Sequence, residues 1–316
     1  MLTNKNKPLI MLIGVAGIWG VSAPIIKYTL NYIPPITFLF IRFLFAALVL
    51  YFLVNWKKHN YYIKLRKKGF LKIFLLGTLG SAISLGLVFY GIERTTSIEA
   101  TIITSSSPLL TLLGGSYFLN EKITKRELLG VLITLAGFGL VIFKPILHLD
   151  PLEPSKDSIT GNMLLVLSTI SWAAYLLISK NIFNHDKTEK RFSPTLITFI
   201  TFFAGAVVLM PFSLYEIVTY KIEYAKALPG IIYMTVFASI IAYNLYEHAI
   251  KKIDAGKASL IQYTTPLFTL PIALFFLGER FSKVYLMGGS LLILGIFISE
   301  TSKKVKNKVK SYASTS

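Results

Sequence analysis

The chain has 316 residues, of which 54% are hydrophobic and only 15% charged, with a mean hydropathy of +0.63. These values lie far from those of soluble domains and assign the chain to a membrane. Thirty-three Lys and Arg against 15 Asp and Glu leave a net charge of +18, and the lack of any cysteine excludes disulfides, thiolate catalysis and cysteine-held zinc or iron–sulfur sites.

A bilayer core takes roughly 20 apolar residues per helix. That window predicts ten spans, at 9–29, 36–54, 71–92, 97–118, 127–145, 161–181, 194–212, 229–249, 256–278 and 282–300. Lys5 and Lys7 precede the first span as they would a signal peptide. Its apolar run is too long for a signal h-region, however, and no obvious cleavage site follows, so it reads as a retained helix. The fourth is the weakest on hydropathy, because Thr101, Thr104, Ser105, Ser106 and Ser107 fall inside it. Long continuous apolar runs exclude a barrel built from strands of about 10 alternating residues.

The second half repeats the first. Trp19 and Lys27 are spaced like Trp172 and Lys180, and Ile36-Thr37-Phe38 recurs as Ile197-Thr198-Phe199. At a fixed offset of 158, Ala100, Pro108, Leu109, Leu119, Glu121, Gly130 and Gly137 fall on Ala258, Pro266, Leu267, Leu277, Glu279, Gly288 and Gly295. Five helices per repeat is an odd number, so the two repeats must cross the membrane in opposite senses. The expected fold is an all-α membrane protein of ten transmembrane helices, arranged as two inverted-topology five-helix repeats. The expected divisions are repeats at 1–146 and 161–300, an outside linker at 147–160 and a basic cytoplasmic tail at 301–316. With the N-terminus inside, 23 Lys and Arg fall in inside segments and 7 in outside ones, which predicts two cytoplasmic termini. The same count explains the positive charge more economically than a nucleic-acid partner, and leaves the 57–72 loop and the tail as candidates for anionic lipid.

These residues resemble a known family. Trp19-Gly20 with Pro24 and Lys27, Arg42-Phe43, and the twice-occurring block of Ala, Pro, Glu and Gly are similar to the EamA-type branch of the drug/metabolite transporter superfamily, over essentially the whole chain. The resemblance implies a ten-helix secondary carrier with a central cavity between pseudosymmetric halves, working by alternating access. It names no substrate, since members are associated with amino acids, other metabolites, nucleotide-linked compounds and drugs. The second half departs at Phe203, which stands where Arg42 would be matched, so an electrostatically asymmetric cavity is expected.

Proline removes its own N–H and clashes with the carbonyl four residues back, so Pro108 and Pro266 are expected to break their helices and free the carbonyls of Thr104 and Gln262. Each follows a polar run, Thr104-Ser105-Ser106-Ser107 and Gln262-Tyr263-Thr264-Thr265. Symmetry-related breaks at mid-depth point to a binding site, although such hydroxyls also serve plain helix packing. Trp19 and Trp172 are expected as cavity walls, with Tyr90, Tyr175, Tyr243 and Tyr263 as weaker candidates. Arg42 should face a partner or a water-filled cavity: as a latch to Glu93 or Glu99, or as a fork for a substrate carboxylate or phosphate.

Lys27 and Lys180 are expected to snorkel to the interface. Asn244, Glu247 and His248 suggest a proton relay, against the preferred reading of a surface ion pair between Glu247 and Lys251. Glu121 and Glu279 suit structural turns, and Thr124 with Glu127 a capping box. Gly130, Gly137 and Gly139, with Gly288, Gly289 and Gly295, suit close packing within a half or between protomers. Asp150, Asp157, Asp186 and Asp254 fall in predicted loops, and no metal-ligand spacing or nucleophile–base set appears near a span. The expectation is therefore no cofactor, metal or catalytic residue. It is a secondary transporter of a small polar or amphipathic metabolite, amino acids or related compounds favoured, in a bacterial inner membrane. Membrane lipids, a coupling ion or counter-substrate and a homodimer are the further partners considered. A membrane enzyme or receptor on the same scaffold is the alternative.

Overall fold

The computed structural model describes residues 7–56, 67–118, 124–143, 156–185, 193–253, 260–280, 282–295 and 298. The 57–66 stretch, Glu121, most of the 147–160 linker with Asp150, Asp186, Asp254 and the 301–316 tail lie outside the described residues. Among those residues the chain is helical without strands, as an apolar chain in lipid must be when every backbone group is satisfied within its own segment.

Among the described residues ten helices follow in chain order. They are α1 (Lys7–Thr29), α2 (Pro35–Trp56), α3 (Lys67–Thr78, Leu79–Ile83 and Ser84–Arg94 in one run), α4 (Ser97–Thr104 and Ser107–Phe118), α5 (Lys125–Phe143), α6 (Lys156–His185), α7 (Pro194–Thr219), α8 (Tyr224–Tyr233, Met234–Tyr243 and Asn244–Lys252 in one run), α9 (Leu260–Thr264 and Thr265–Phe276) and α10 (Lys283–Gly295). Six of them, α1, α2, α3, α6, α7 and α8, are long and apolar enough to cross a bilayer unbroken. The chain is an all-α integral membrane protein.

The halves interleave. α1 packs against α8 and α9 of the second half, while α6 packs against α3 and α4 of the first, and α2 lies along α7. The glycines resolve the choice posed by the sequence in a third way, because they join the last helices of the two halves to each other. A Cβ on Gly137 would lie 2.6 Å from the Gly288 carbonyl, and one on Gly295 would lie 2.5 Å from that of Gly130. Since Gly130 matches Gly288 and Gly137 matches Gly295, the α5–α10 crossing repeats itself about the pseudo-twofold axis. Gly139 and Gly289 meet nothing within 4 Å.

Helix ends are closed by side chains from distant sequence. The Glu216 carboxylate accepts from the Ile36 N–H (3.3 Å), the Thr37 N–H (2.7 Å) and the Thr37 hydroxyl (2.9 Å) at the start of α2. Glu279 does the same for α4, taking the N–H groups of Ser97 (2.7 Å) and Ile98 (3.1 Å). A carboxylate at a helix N-terminus satisfies orphan donors and the positive end of the dipole. Lys27 and Lys180, both half-buried, perform the complementary task. Lys27 Nζ donates to the carbonyls of Ile92, Glu93 and Thr95 at the end of α3, and Lys180 Nζ to those of Ile250 and Ile253 at the end of α8. Orphan carbonyls at a helix C-terminus, at the negative end of its dipole, are ready acceptors for an ammonium placed there.

Candidate functional site

Between the two halves lies a cavity of about 150 Å³. Its walls come from α1, α2, α3, α4, α6, α8 and α9, and they are mostly apolar with a few convergent polar groups, the general character of a small-molecule site. Trp19, Arg42, Thr104, Ser105, Trp172, Tyr243 and Gln262 of the sequence candidates all line it.

The cavity exists because helices change form around it. α4 stops at Thr104 and restarts at Ser107, directly before Pro108; α9 is a tighter 3-10 turn to Thr264 before the α-helix that holds Pro266 in its first turn. The freed Gln262 carbonyl accepts from the Thr265 hydroxyl (2.5 Å) and lies 3.0 Å from Ser105 Oγ, which also lies 3.2 Å from Thr265 Oγ1. The two breaks thus meet and satisfy each other.

α3 and α8 carry wider π-helical turns at matched positions, Leu79–Ile83 and Met234–Tyr243. Such turns concentrate at functional sites. Ser81 and Ser239, 158 residues apart, mark the two. Ser81 Oγ donates to the Gly77 and Thr201 carbonyls, whereas Ser239 Oγ donates to the Met234 carbonyl and accepts from Arg42 Nε at 2.6 Å. Where one half spends a backbone carbonyl, the other holds a guanidinium.

Arg42 is only 2% exposed. Its guanidinium lies over the rings of Phe43 and Phe89, 5.5 and 5.9 Å from their centroids. Ser239 is its hydrogen-bond partner, and among the described residues no acceptor meets its two terminal nitrogens. The latch to Glu93 or Glu99 is corrected accordingly. Glu93 pairs with Arg94 at 2.7 Å, and the Glu99 carboxylate accepts from the Thr95 and Ser158 hydroxyls while its backbone N–H donates to the Thr96 cap. The matched Phe203 faces outward on α7 and stacks on Phe199.

Trp19 and Trp172 touch edge to face, with centroids 5.7 Å apart, and share a cluster with Tyr243 and Tyr246. Trp19 Nε1 donates to the Ala238 carbonyl in the π-helical turn at 3.3 Å. The buried Trp172 Nε1 and Ser107 Oγ, both in the cavity wall, have no partner among the described residues.

Four sequence candidates lie elsewhere. Tyr90 reaches Glu216 at the α2 cap (3.4 Å), and Ser106 donates to the Ile103 carbonyl within its own helix break. Tyr175 is buried behind Trp172 and bonds Glu247. Tyr263 lines a second cavity between α4, α9 and α10. Conversely, Ser22, Ser84, Thr101, Ser107, Ser168, Thr169 and Thr265 line the first cavity without having been singled out as binding candidates. Spacing could have found three of them: Ser22, Ser168 and Thr169 stand three or four residues from Trp19 or Trp172, on the same helix faces.

Glu247 is the clearest reversal. The surface ion pair with Lys251 does not form; Glu247 is 0% exposed and accepts from Tyr175 and from Ser179 (3.1 Å). Its position turns it inward toward α6, where the i,i+4 spacing alone had suggested the helix surface. Among the described residues no group of three or more His, Cys, Asp or Glu could hold a metal ion.

A family description, EamA-like transporter family, matches residues 6–143 and again 159–301. The "Uncharacterized transporter YyaM" of Bacillus subtilis is 29% identical over 294 residues, covering 91% of each chain. The "Uncharacterized transporter YetK" of the same organism is 25% identical, covering 93% of this chain and 87% of that protein. The "Probable amino-acid metabolite efflux pump" of Escherichia coli is 22% identical over 98% of this chain and 99% of its own. A crystal structure of a chain 15% identical superimposes with a TM-score of 0.65 over 92% of this chain and 95% of that one, a likeness of fold. With interleaved helical halves around a central cavity and two matched stretches that together cover most of its length, the chain belongs to the EamA-like transporter family.

Proposed function

We propose that this transporter moves small amphipathic metabolites carrying a carboxylate, amino acids or related compounds, by alternating access of the cavity between its repeats. The observation that carries the reading is Arg42, a buried guanidinium in the cavity wall whose two terminal nitrogens meet no acceptor among the described residues. An unpaired buried charge is costly, and a carboxylate accepting two parallel N–H bonds is the ligand that fits its fork. The indole N–H of Trp172 and the hydroxyls of Thr104, Ser105 and Ser107 offer the remaining polar contacts, and the faces of Trp19 and Tyr243 accept apolar or cationic parts. Among the described residues no Asp or Glu lines the cavity, which argues for a substrate anchored by its negative end. The efflux pump among the relatives supports an amino-acid-like substrate. In this reading both termini are cytoplasmic, the membrane is a bacterial inner membrane, and repeats 1–146 and 161–300 are the moving parts.

Counterflow into proteoliposomes tests it. Labelled L-amino acids should exchange, whereas their amides and decarboxylated amines should not compete. Arg42→Lys keeps the charge but loses the fork, and a charge-assisted hydrogen bond is worth about 1.5–3 kcal/mol. Apparent affinity should therefore fall about 10- to 100-fold while the melting temperature moves little. Equal competition by acids, amides and amines would overturn the carboxylate assignment.

A further inference from the structure

Four buried or part-buried glutamates sit in bonded environments that differ in kind, and Glu99, at the start of α4, accepts from the Thr95 and Ser158 hydroxyls. Glu216 and Glu279 rest on backbone N–H groups at helix starts, donors that favour a permanent anion. Glu247 of α8 accepts from hydroxyls alone, the Tyr175 hydroxyl and Ser179 Oγ. A hydroxyl can donate to a carboxylate or accept from a carboxylic acid, so this pair accommodates either protonation state. Glu247 is also fully buried and forms no ion pair among the described residues, and an anion so placed is costly unless it takes up a proton.

Among the described residues the surroundings direct no substitute charge at Glu247. α1, α6 and α7 pack against this end of α8. α1 carries its titratable residues, Lys7, Lys27 and Tyr28, at its ends, and α7 carries Tyr215 and Glu216 far down its length. α6 brings Tyr175 and, beyond it, Lys180, whose ammonium is directed at the Ile250 and Ile253 carbonyls. On α8 itself stand Tyr243 and Tyr246 in the aromatic cluster, His248, whose Nδ1 lies 2.7 Å from the Asn244 carbonyl, and the terminal Lys251 and Lys252. The site nonetheless touches the cavity wall: the Tyr175 ring stacks on Trp172 with centroids 5.2 Å apart and planes at 24°.

We infer that Glu247 is the proton-binding site of a proton-coupled transport cycle, linked to the substrate cavity through Tyr175 and Trp172. The inference rests on the transporter reading above. The carboxylate takes one proton from the side to which the cavity is open and returns it to the other side after the cavity has changed access, with no other bond made or broken. Protonation turns one carboxyl oxygen of Glu247 into a donor, so the hydroxyl bound to that oxygen, Tyr175 or Ser179, must turn from donor to acceptor; a change at Tyr175 is felt by the stacked Trp172.

Protons alone provide the first probe. On acidification of the full-length protein in lipid nanodiscs, infrared difference spectra should show the carbonyl stretch of a protonated carboxyl, lost in Glu247→Gln and shifted in midpoint in Tyr175→Phe. In proteoliposomes loaded against a pH gradient, a labelled L-amino-acid mixture should accumulate. Glu247→Gln should reduce that accumulation tenfold or more while counterflow continues, and Glu247→Asp should restore part of it. A carboxyl band that persists in Glu247→Gln, or gradient-driven accumulation undiminished in that variant, would overturn the proton site. Absent counterflow in the wild type would instead overturn the substrate reading, and the infrared band would still decide on Glu247.

Discussion

At the scale of single residues, Trp172 has two separable roles. Its ring packs against Trp19, Tyr175 and Tyr243, and its buried N–H, on a residue of the cavity wall, has no acceptor among the described residues. Trp172→Ala removes both and opens a void in a packed aromatic cluster, a change that costs about 3–5 kcal/mol and confuses folding with binding. Trp172→Phe separates them, keeping the stack while deleting the donor. It should leave thermal unfolding in detergent nearly unchanged and weaken substrate affinity about threefold to tenfold, the worth of one neutral hydrogen bond at roughly 0.5–1.5 kcal/mol. Titration of binding by intrinsic fluorescence, with counterflow as the second measure, would check both halves of this expectation. The sequence revealed the tryptophans through their repetition. It could not reveal which of their atoms remain unbonded, because the acceptor of Trp19 is a carbonyl more than two hundred residues away.

At the scale of helices, proline and glycine were the most readable signals, since their effects are local. The interruptions before Pro108 and at Pro266 follow from a missing N–H and a steric clash within one helix. Charged side chains were the least readable. Lys27, Lys180, Glu216 and Glu279 each close a helix remote in sequence, and nothing in their immediate neighbours encodes that. Glu247 was misjudged for a related reason: four-residue spacing identifies a shared helix face but not whether that face is buried. Glycine also allows a matched pair of tests. Gly137→Ala places a methyl 2.6 Å from the Gly288 carbonyl and should lower the melting temperature measurably. Gly139→Ala meets nothing within 4 Å and should be neutral or stabilising by up to about 1 kcal/mol, the helix-propensity gain over glycine.

At the scale of the molecule, the repeat carried most of what sequence could tell. An internal offset of 158 residues rescued α4, whose hydroxyls weaken its hydropathy, and gave ten helices in two inverted sets. It did not convey that the sets interleave, with α1 on α9 and α6 on α3, because pairing between repeats leaves no periodic trace within either one. The orientation in the membrane rests on charge, and the lack of native cysteine makes it simple to measure. Single cysteines placed at 57–68 or after Ser316 should resist a membrane-impermeant thiol reagent in intact cells, whereas one at 148–158 should react. Labelling at 148–158 only after the cells are opened would refute the five-plus-five arrangement.

The contact of Ser105 with Gln262 and Thr265 joins the two interrupted helices near mid-depth. A rocking pair of repeats needs a fulcrum, and atoms at a fulcrum turn without parting. Bonds placed there survive whichever end of the cavity is open, so widening one entrance swings the other shut. In the proposed alternating-access cycle, a fulcrum at this contact would keep both entrances from gaping together. A carrier built this way can cycle while remaining electrically tight, and the membrane keeps the ion gradients that an uninterrupted channel would discharge.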